Sequence, residues 1–192
     1  MKKGRIIILI IVILIPIIWV FSAYNNLVNQ EEKVTAQWAD VETQYQRRAE
    51  LIPNLVATVK GAAGHESNTF IEVAEARAKA SSIRVNPADL TPEALEQFQQ
   101  AQGQLSSALS RLLVENYPVL QANRNFLELQ AQLEGTENRI AVERSRFNQV
   151  AQEYNTAIRR IPASIFASLF GFRSKPYFKS DTGNESAPEV SF

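Results

Sequence analysis

Few side chains in this 192-residue sequence could do chemistry, and their spacing argues against it. The single histidine, His65, is followed by Glu66, but a metalloprotease zinc motif needs a second histidine four residues later, and position 69 is Thr. With one imidazole and no cysteine, neither a zinc site nor thiolate or disulfide chemistry can be assembled. The serines lack a G-x-S-x-G turn, and their only imidazole partner would be His65. The seven glycines are scattered and form no phosphate-cradling loop. Carboxylate neighbours such as Glu31 and Glu32 fall on a helical surface, where solvated charge is the ordinary state. We therefore assign no catalytic residue, cofactor or metal ligand and expect no enzyme.

Two charges remain to be explained, Arg48 and Glu143, because each falls on an apolar seam. Stepping alternately by four and three from Leu27 gives Glu31, Val34, Trp38, Val41, Tyr45, Arg48, Ile52, Leu55 and Val59, apolar at all but two positions. The same step from Phe126 gives Leu129, Leu133, Thr136, Ile140, Glu143, Phe147, Val150, Tyr154, Ala157 and Ile161. Both patterns predict long amphipathic helices whose stripes need a partner. The positions expected at the helix interface are Trp38, Tyr45, Arg48, Ile52, Leu55, Phe126, Ile140, Glu143, Phe147 and Tyr154. A buried charge must be paired or it is heavily penalised, so partners are expected for Arg48 and Glu143, which could fix register between helices or subunits.

Ahead of the first seam, residues 6–23 form 18 residues without a charge, close to the ~20 that cross a bilayer as a helix. Pro16 is tolerable in such a helix, and Trp19 and Tyr24 stand where interfacial aromatics would. Lys2, Lys3 and Arg5 precede the run and no base follows until Lys33, which predicts a cytoplasmic amino terminus and an extracytoplasmic remainder. The alternative is a cleaved signal peptide ending near Ser22 and Ala23. Residues 1–23 are thus read as basic flank and transmembrane anchor.

Residues 24–161 are read as the helical domain. Pro53 predicts a kink or an end, and Gly61 and Gly64 a bend or a reversal. Residues 83–91 read as a loop closed by Thr91-Pro92-Glu93, a helix start with Thr as N-cap. Asn116-Tyr117-Pro118 predicts a further interruption. The expected fold is all-α, an amino-terminal transmembrane helix followed by a long antiparallel up-and-down four-helix bundle of residues 24–61, 65–82, 92–115 and 119–161. The alternative is one kinked helical hairpin, 24–82 against 92–161.

Antiparallel pairing returns the last long helix to the bilayer. It delivers residues 162–179, where apolar Ile165, Phe166, Leu169, Phe170 and Phe172 are bracketed by Arg159, Arg160, Arg173 and Lys175. At 12 residues the uncharged stretch 161–172 is too short to span, so it reads either as an interfacial segment on anionic head groups or as a bundle cap. Residues 180–192 are acidic, without period, and read as a flexible tail. The overall charge of zero conceals this division: 24–158 is net acidic with bases interspersed among acids, which excludes a nucleic-acid stripe.

Several blocks resemble the LemA family of bacterial membrane proteins: YNNLV at 24–28, WADV at 38–41, QYQRRAELIPNLV at 44–56, VKG at 59–61, HE at 65–66, AR at 76–77, ENYP at 115–118, TENRIA at 136–141, YN at 154–155 and the closing PEVSF. Small departures are Ala39, Phe147, where Tyr is usual, and Ile161 before Pro162. The resemblance implies one amino-terminal membrane helix and an up-and-down four-helix bundle, with no assigned catalytic group. Family members are linked to envelope maintenance, to membrane remodelling in magnetosome-forming bacteria, and to neighbouring genes for membrane metalloproteases. Some family descriptions place the short amino end outside, opposite to the charge argument. The expected function is a non-enzymatic scaffold of the bacterial inner membrane, with membrane lipid and further copies of itself as partners, that shapes or organises the membrane. The alternative is an adaptor or regulator of a membrane protease or another envelope protein.

Overall fold

The computed structural model describes residues 2–63, 68–120 and 123–179, without the side chains of 2–11, 13, 63 and 116–119. His65, Glu66 and the expected tail 180–192 lie outside the described residues. All regular structure among those described is helical: α1 (Lys2–Ala63), α2 (Asn68–Ser82), a 3₁₀ turn (Pro87–Asp89), α3 (Pro92–Leu120), α4 (Arg124–Arg159) and the short α5 (Ala163–Ala167).

Helix α1 is 62 residues long and runs through both Pro16 and Pro53 without ending. A proline inside a helix removes one donor and leaves the carbonyl four residues back without its partner. At Pro53 that carbonyl belongs to Ala49, and Arg77 on α2 donates to it through Nε at 2.8 Å. A side chain from the next helix thus replaces the lost backbone donor. The same bond shows that the chain reverses between α1 and α2, because residue 77 lies level with residue 49. Residues 24–82 therefore do not form a single arm, and the kinked-hairpin alternative fails.

Helix α3 begins where expected, with Thr91 Oγ1 accepting from the Ala94 backbone N–H at 3.2 Å. It ends later than expected, at Leu120 instead of 115, and its backbone stays helical past position 118. Packing explains the extension: Leu120 is fully buried in one cluster with Phe126 and Leu112, which outweighs the local preference of a pre-proline residue. Helix α4 starts at Arg124, capped by Asn123, whose side chain accepts from the Phe126 N–H.

The side chains divide into two cores. Nearer the amino-terminal run, Trp38, Val41, Tyr45, Phe98, Ile140, Phe147 and Tyr154 pack together with Leu27 and Val34. Farther away, Ile52, Leu55, Val59, Phe70, Val73, Leu105, Leu109, Leu112, Phe126 and Leu133 form the second. Between Tyr45 and Ile52 lies Arg48, so a polar layer separates them. Trp38 meets Phe147 edge to face at 5.6 Å while Arg48, farther along α1, meets Glu137, earlier on α4, so α1 and α4 are antiparallel. Helix α3 runs parallel to α1, since Tyr45 and Trp38 both meet Phe98 while Arg48 reaches Gln102 and Ser106 one turn on.

The second seam drifts. Its last members, Ala157 and Ile161, are half-buried and exposed, whereas Ala151, Asn155 and Ile158 are buried. A step averaging 3.5 residues falls ~20° behind a straight helix in each heptad, so ten positions suffice to rotate the stripe off the core.

Among the described residues no helix is long and apolar enough to cross a membrane. The expected span, 6–23, includes residues 6–11 and 13, whose side chains lie outside those described.

Candidate functional site at the base of the helices

Helix α2 ends at Ser82 and α3 starts at Pro92, so below the level of Trp38 and Phe98 helices α1 and α4 continue without the other two. Two helices side by side cannot enclose a core, yet Leu27, Val34, Tyr154 and Ile158 are buried there. The missing walls come from Ile83, Val85 and Leu90 of the loop, Ala167 of α5, and the carboxyl-terminal residues Phe172 and Phe178.

Those last residues arrive by a sharp reversal. After α5, the Phe172 N–H donates to the Ala167 carbonyl at 2.9 Å and Gly171 stands at φ +83°. That is a left-handed position which a residue with a Cβ rarely takes. The chain then climbs α4 as an irregular strap without helix through residue 179. Two asparagines on α4 hold it by its backbone. Asn155 accepts from the Lys175 N–H and donates to the Lys175 carbonyl, both at 2.8 Å. Asn148 does the same for Phe178, at 2.8 and 3.0 Å. Seven helical residues rise about 10.5 Å and three extended residues about 10 Å, so a heptad of α4 matches three residues of strap. To the strap backbone each amide presents one donor and one acceptor, as the neighbouring strand of a sheet would, and Asn155 also donates to the Tyr177 hydroxyl at 2.9 Å.

The strap plugs two cavities with side chains. Phe178 stacks on Trp38 (5.8 Å, 7° between planes), meets Phe147 edge-on at 5.3 Å, and lies under the Arg144 guanidinium at 5.1 Å. Lys175 corrects the sequence reading. Expected at a membrane surface, it is only 4% exposed, and its ammonium donates to Glu31 Oε1 at 2.9 Å and to the Pro87 and Ala88 carbonyls at 3.2 and 3.0 Å. Three donors thus meet three acceptors, tying the strap to α1 and to the loop. Glu31, the first polar interruption of the α1 seam, is there to receive it. Beside this pair the buried Tyr154 hydroxyl has no hydrogen-bond partner of ordinary geometry. Burial first, and the Glu31 carboxylate second, push its pKa well above the usual phenol value.

The second interruption, Arg48, is 2% exposed. Its terminal nitrogens donate to Glu137 Oε1 (2.8 Å), Ser106 Oγ (3.0 Å), and both the side chain and the carbonyl of Gln102 (2.7 and 3.1 Å), joining α1, α3 and α4 at one level. Its Nε is buried without a partner. Glu143 accepts from Gln37 across the helix pair and from Arg146 on its own helix, both at 2.8 Å. The remaining interface positions named from the seams, Ile52, Leu55, Phe126 and Ile140 among them, are buried.

The other carboxyl-terminal residues gather around the point where α1 passes from its apolar run into the domain. Phe166 packs on Trp19 at 6.1 Å, and Phe170 and Phe172 pack on Tyr24 at 5.1 and 5.7 Å. Ile165, Leu169 and Phe170 are exposed, as are Arg159, Arg160 and Arg173. The boundary drawn at 162–179 is therefore too wide: an apolar and basic collar ends near 173, and 174–179 is the strap. Sequence reasoning missed Asn148, Asn155 and Arg77. The asparagines had a signal in their heptad spacing one position beyond Phe147 and Tyr154; Arg77 had none in its own vicinity.

This arrangement offers no convergent nucleophile, base or metal-ligand cluster among the described residues. Its distinctive chemistry is adhesive: aromatic faces, backbone-gripping amides and an exposed apolar rim. Magnetosome protein MamQ of Magnetospirillum gryphiswaldense is 29% identical over 176 residues, covering 81% of this chain and 64% of the relative. Magnetosome proteins MamQ 1 and MamQ 2 of Paramagnetospirillum magneticum are each 27% identical over 184 residues, covering 85% of this chain and 67% of theirs. The chain thus spans about two thirds of the length of these relatives. The LemA family model matches residues 37–192, which take in three of the four long helices, the end of α1 and the strap, and the chain belongs to the LemA family.

Proposed function

We propose that the protein is a non-enzymatic scaffold of the bacterial inner membrane, anchored by residues 6–23, that projects an up-and-down four-helix bundle and associates with copies of itself to organise or shape the bilayer. The observation that carries this reading is the collar. Ile165 and Leu169, 65% and 77% exposed, stand beside Trp19 and Tyr24 with Arg159, Arg160 and Arg173 around them. Exposed apolar residues rimmed by bases suit the interface of a membrane carrying anionic lipid. Apart from half-buried Val20, the apolar residues of α1 from Leu14 to Phe21 are exposed as well, and lipid would remove their cost of hydration. The MamQ relatives, named as magnetosome proteins, add a link to a membrane-bounded organelle.

Carbonate washing of membranes tests the anchor. The full chain should stay in the pellet, and its release would overturn the reading. A chain beginning at residue 24 should float with anionic vesicles, and the Ile165→Ser/Leu169→Ser variant of that chain should not. Cross-linking in native membranes should give a ladder of homo-oligomers. A single heterologous band would replace the scaffold by an adaptor for another envelope protein, such as a membrane protease.

A further inference from the structure

We propose that the groove between α1 and α4 just above the collar is a binding site for one aminophospholipid, with its phosphate at Arg160 and its ammonium at Glu153. The inference rests on the membrane reading above and adds a ligand to it. The groove has a volume of about 590 Å³, within the range of small-molecule sites. Small residues open it: Ser22 and Ala23 on α1, and Thr156, Ala157 and Ala163 opposite.

Its polarity is graded along the helix axis. Because the helices are antiparallel, with Trp19 level with Phe166 and Trp38 level with Phe147, the lining can be read upward from the collar. Trp19, Ala163 and Ala23 come first, then Arg160, then Asn26, Thr156 and Gln30, and last Glu153. A phospholipid entering from the bilayer presents groups in the same order: acyl chain and glycerol, phosphate, then amine. A cation next to the apolar end and an anion beyond it match that sequence. An anionic head group lacking an amine would instead leave Glu153 without a cationic partner.

The groups are also uncommitted. Among the described residues neither Arg160 nor Glu153 has an ion pair, Glu153 receiving only a 3.4 Å bond from Gln149. Arg160, the residue that caps the end of α4, follows Glu153 by seven positions, a separation of about 10.5 Å at helical rise, too far for the usual i,i+4 helical pair. A ligand carrying both charges, reached by the long arginine side chain, can satisfy them together. Asn26 and Gln30 supply further amide donors for phosphate oxygens.

The test uses the full chain extracted in detergent and mixed with equal amounts of phosphatidylethanolamine, phosphatidylglycerol and phosphatidylcholine, with retained lipid measured by native mass spectrometry. The expected result is one phosphatidylethanolamine per chain, in preference to the other two. Glu153→Gln should remove the preference over phosphatidylcholine, which lacks ammonium N–H donors. Arg160→Gln should lower retention of all three by roughly tenfold, the worth of one charge-assisted hydrogen bond. Both side chains are exposed, so folding should be intact, and Glu134→Gln on the same helix should change nothing. Equal retention of the three lipids, a preference for phosphatidylglycerol, or an unaltered pattern in both variants overturns the proposal. Carbonate washing of the same variants separates the two readings. A chain that stays in membranes without lipid preference fails only here, whereas a chain washed from membranes fails the anchoring reading.

Discussion

The two cores on either side of Arg48 are built from different materials. The distal one is largely aliphatic and enclosed by helices that run alongside one another. The basal one is aromatic, and its walls are a loop, a short helix and a strap. The difference follows from helix length: α1 and α4 outrun α2 and α3, so the basal pair must be covered by pieces that cannot supply a ridge of side chains. Large flat rings close such irregular gaps with few residues, and each buries 150–250 Å². Backbone groups of a non-helical strap have no partners of their own, so α4 must carry side chains that satisfy them. The lesson is that the basal half is specified by single residues in single roles, whereas the distal half is specified by a pattern.

That contrast can be broken most strongly at Trp38, which touches Phe98, Phe147 and Phe178. Trp38→Ala should cost about 3–5 kcal/mol in chemical denaturation and release the strap. Leu55→Ala should cost a similar amount in the distal core yet leave strap amides at 175 and 178 protected from hydrogen exchange. Next is the polar layer between the cores. Arg48→Ala should destabilise by about 2–3 kcal/mol, below the 3–5 of a fully buried pair, because Glu137 is 42% exposed and can rehydrate. Arg48→Lys should not restore stability, since one ammonium cannot present a planar fork to Glu137, Ser106 and Gln102; rescue by lysine would show that charge alone matters there.

A smaller effect is expected at the clamps. Asn155→Ala leaves the Lys175 backbone without its partners and should cost about 1–3 kcal/mol. The loss should appear as faster proteolysis within 174–179 while helix content is unchanged. The smallest effect is in the distal half: Arg77→Ala should cost about 1 kcal/mol in the native background and nothing once Pro53→Ala has restored the N–H to the Ala49 carbonyl. Additive losses in that double-mutant cycle would separate Arg77 from the proline.

Much of the distal half was legible in the chain itself. Alternating steps of four and three located its buried positions, because a helix that packs on another repeats its contacts nearly every seven residues. The break at 116–118 was misplaced, since the burial of Leu120 is a tertiary fact that local propensity does not see. In the basal half, Trp38, Tyr45, Phe147 and Tyr154 were found by the same periodicity. Lys175 was not, because a lysine among apolar residues reads alike whether its ammonium faces lipid head groups or a carboxylate 144 residues earlier in the chain.

By itself, then, the sequence determined that this protein is all-α, where its long helices lie, and that it has no cysteine for thiol chemistry, since composition and periodicity are properties of the chain. Only the tertiary structure decided that α2 turns back along α1, that Arg77 supplies the donor Pro53 lacks, and that residues 174–179 leave the collar to climb α4. Those outcomes depend on which distant groups can satisfy a buried carbonyl, amide or charge, and that is settled when the helices come together.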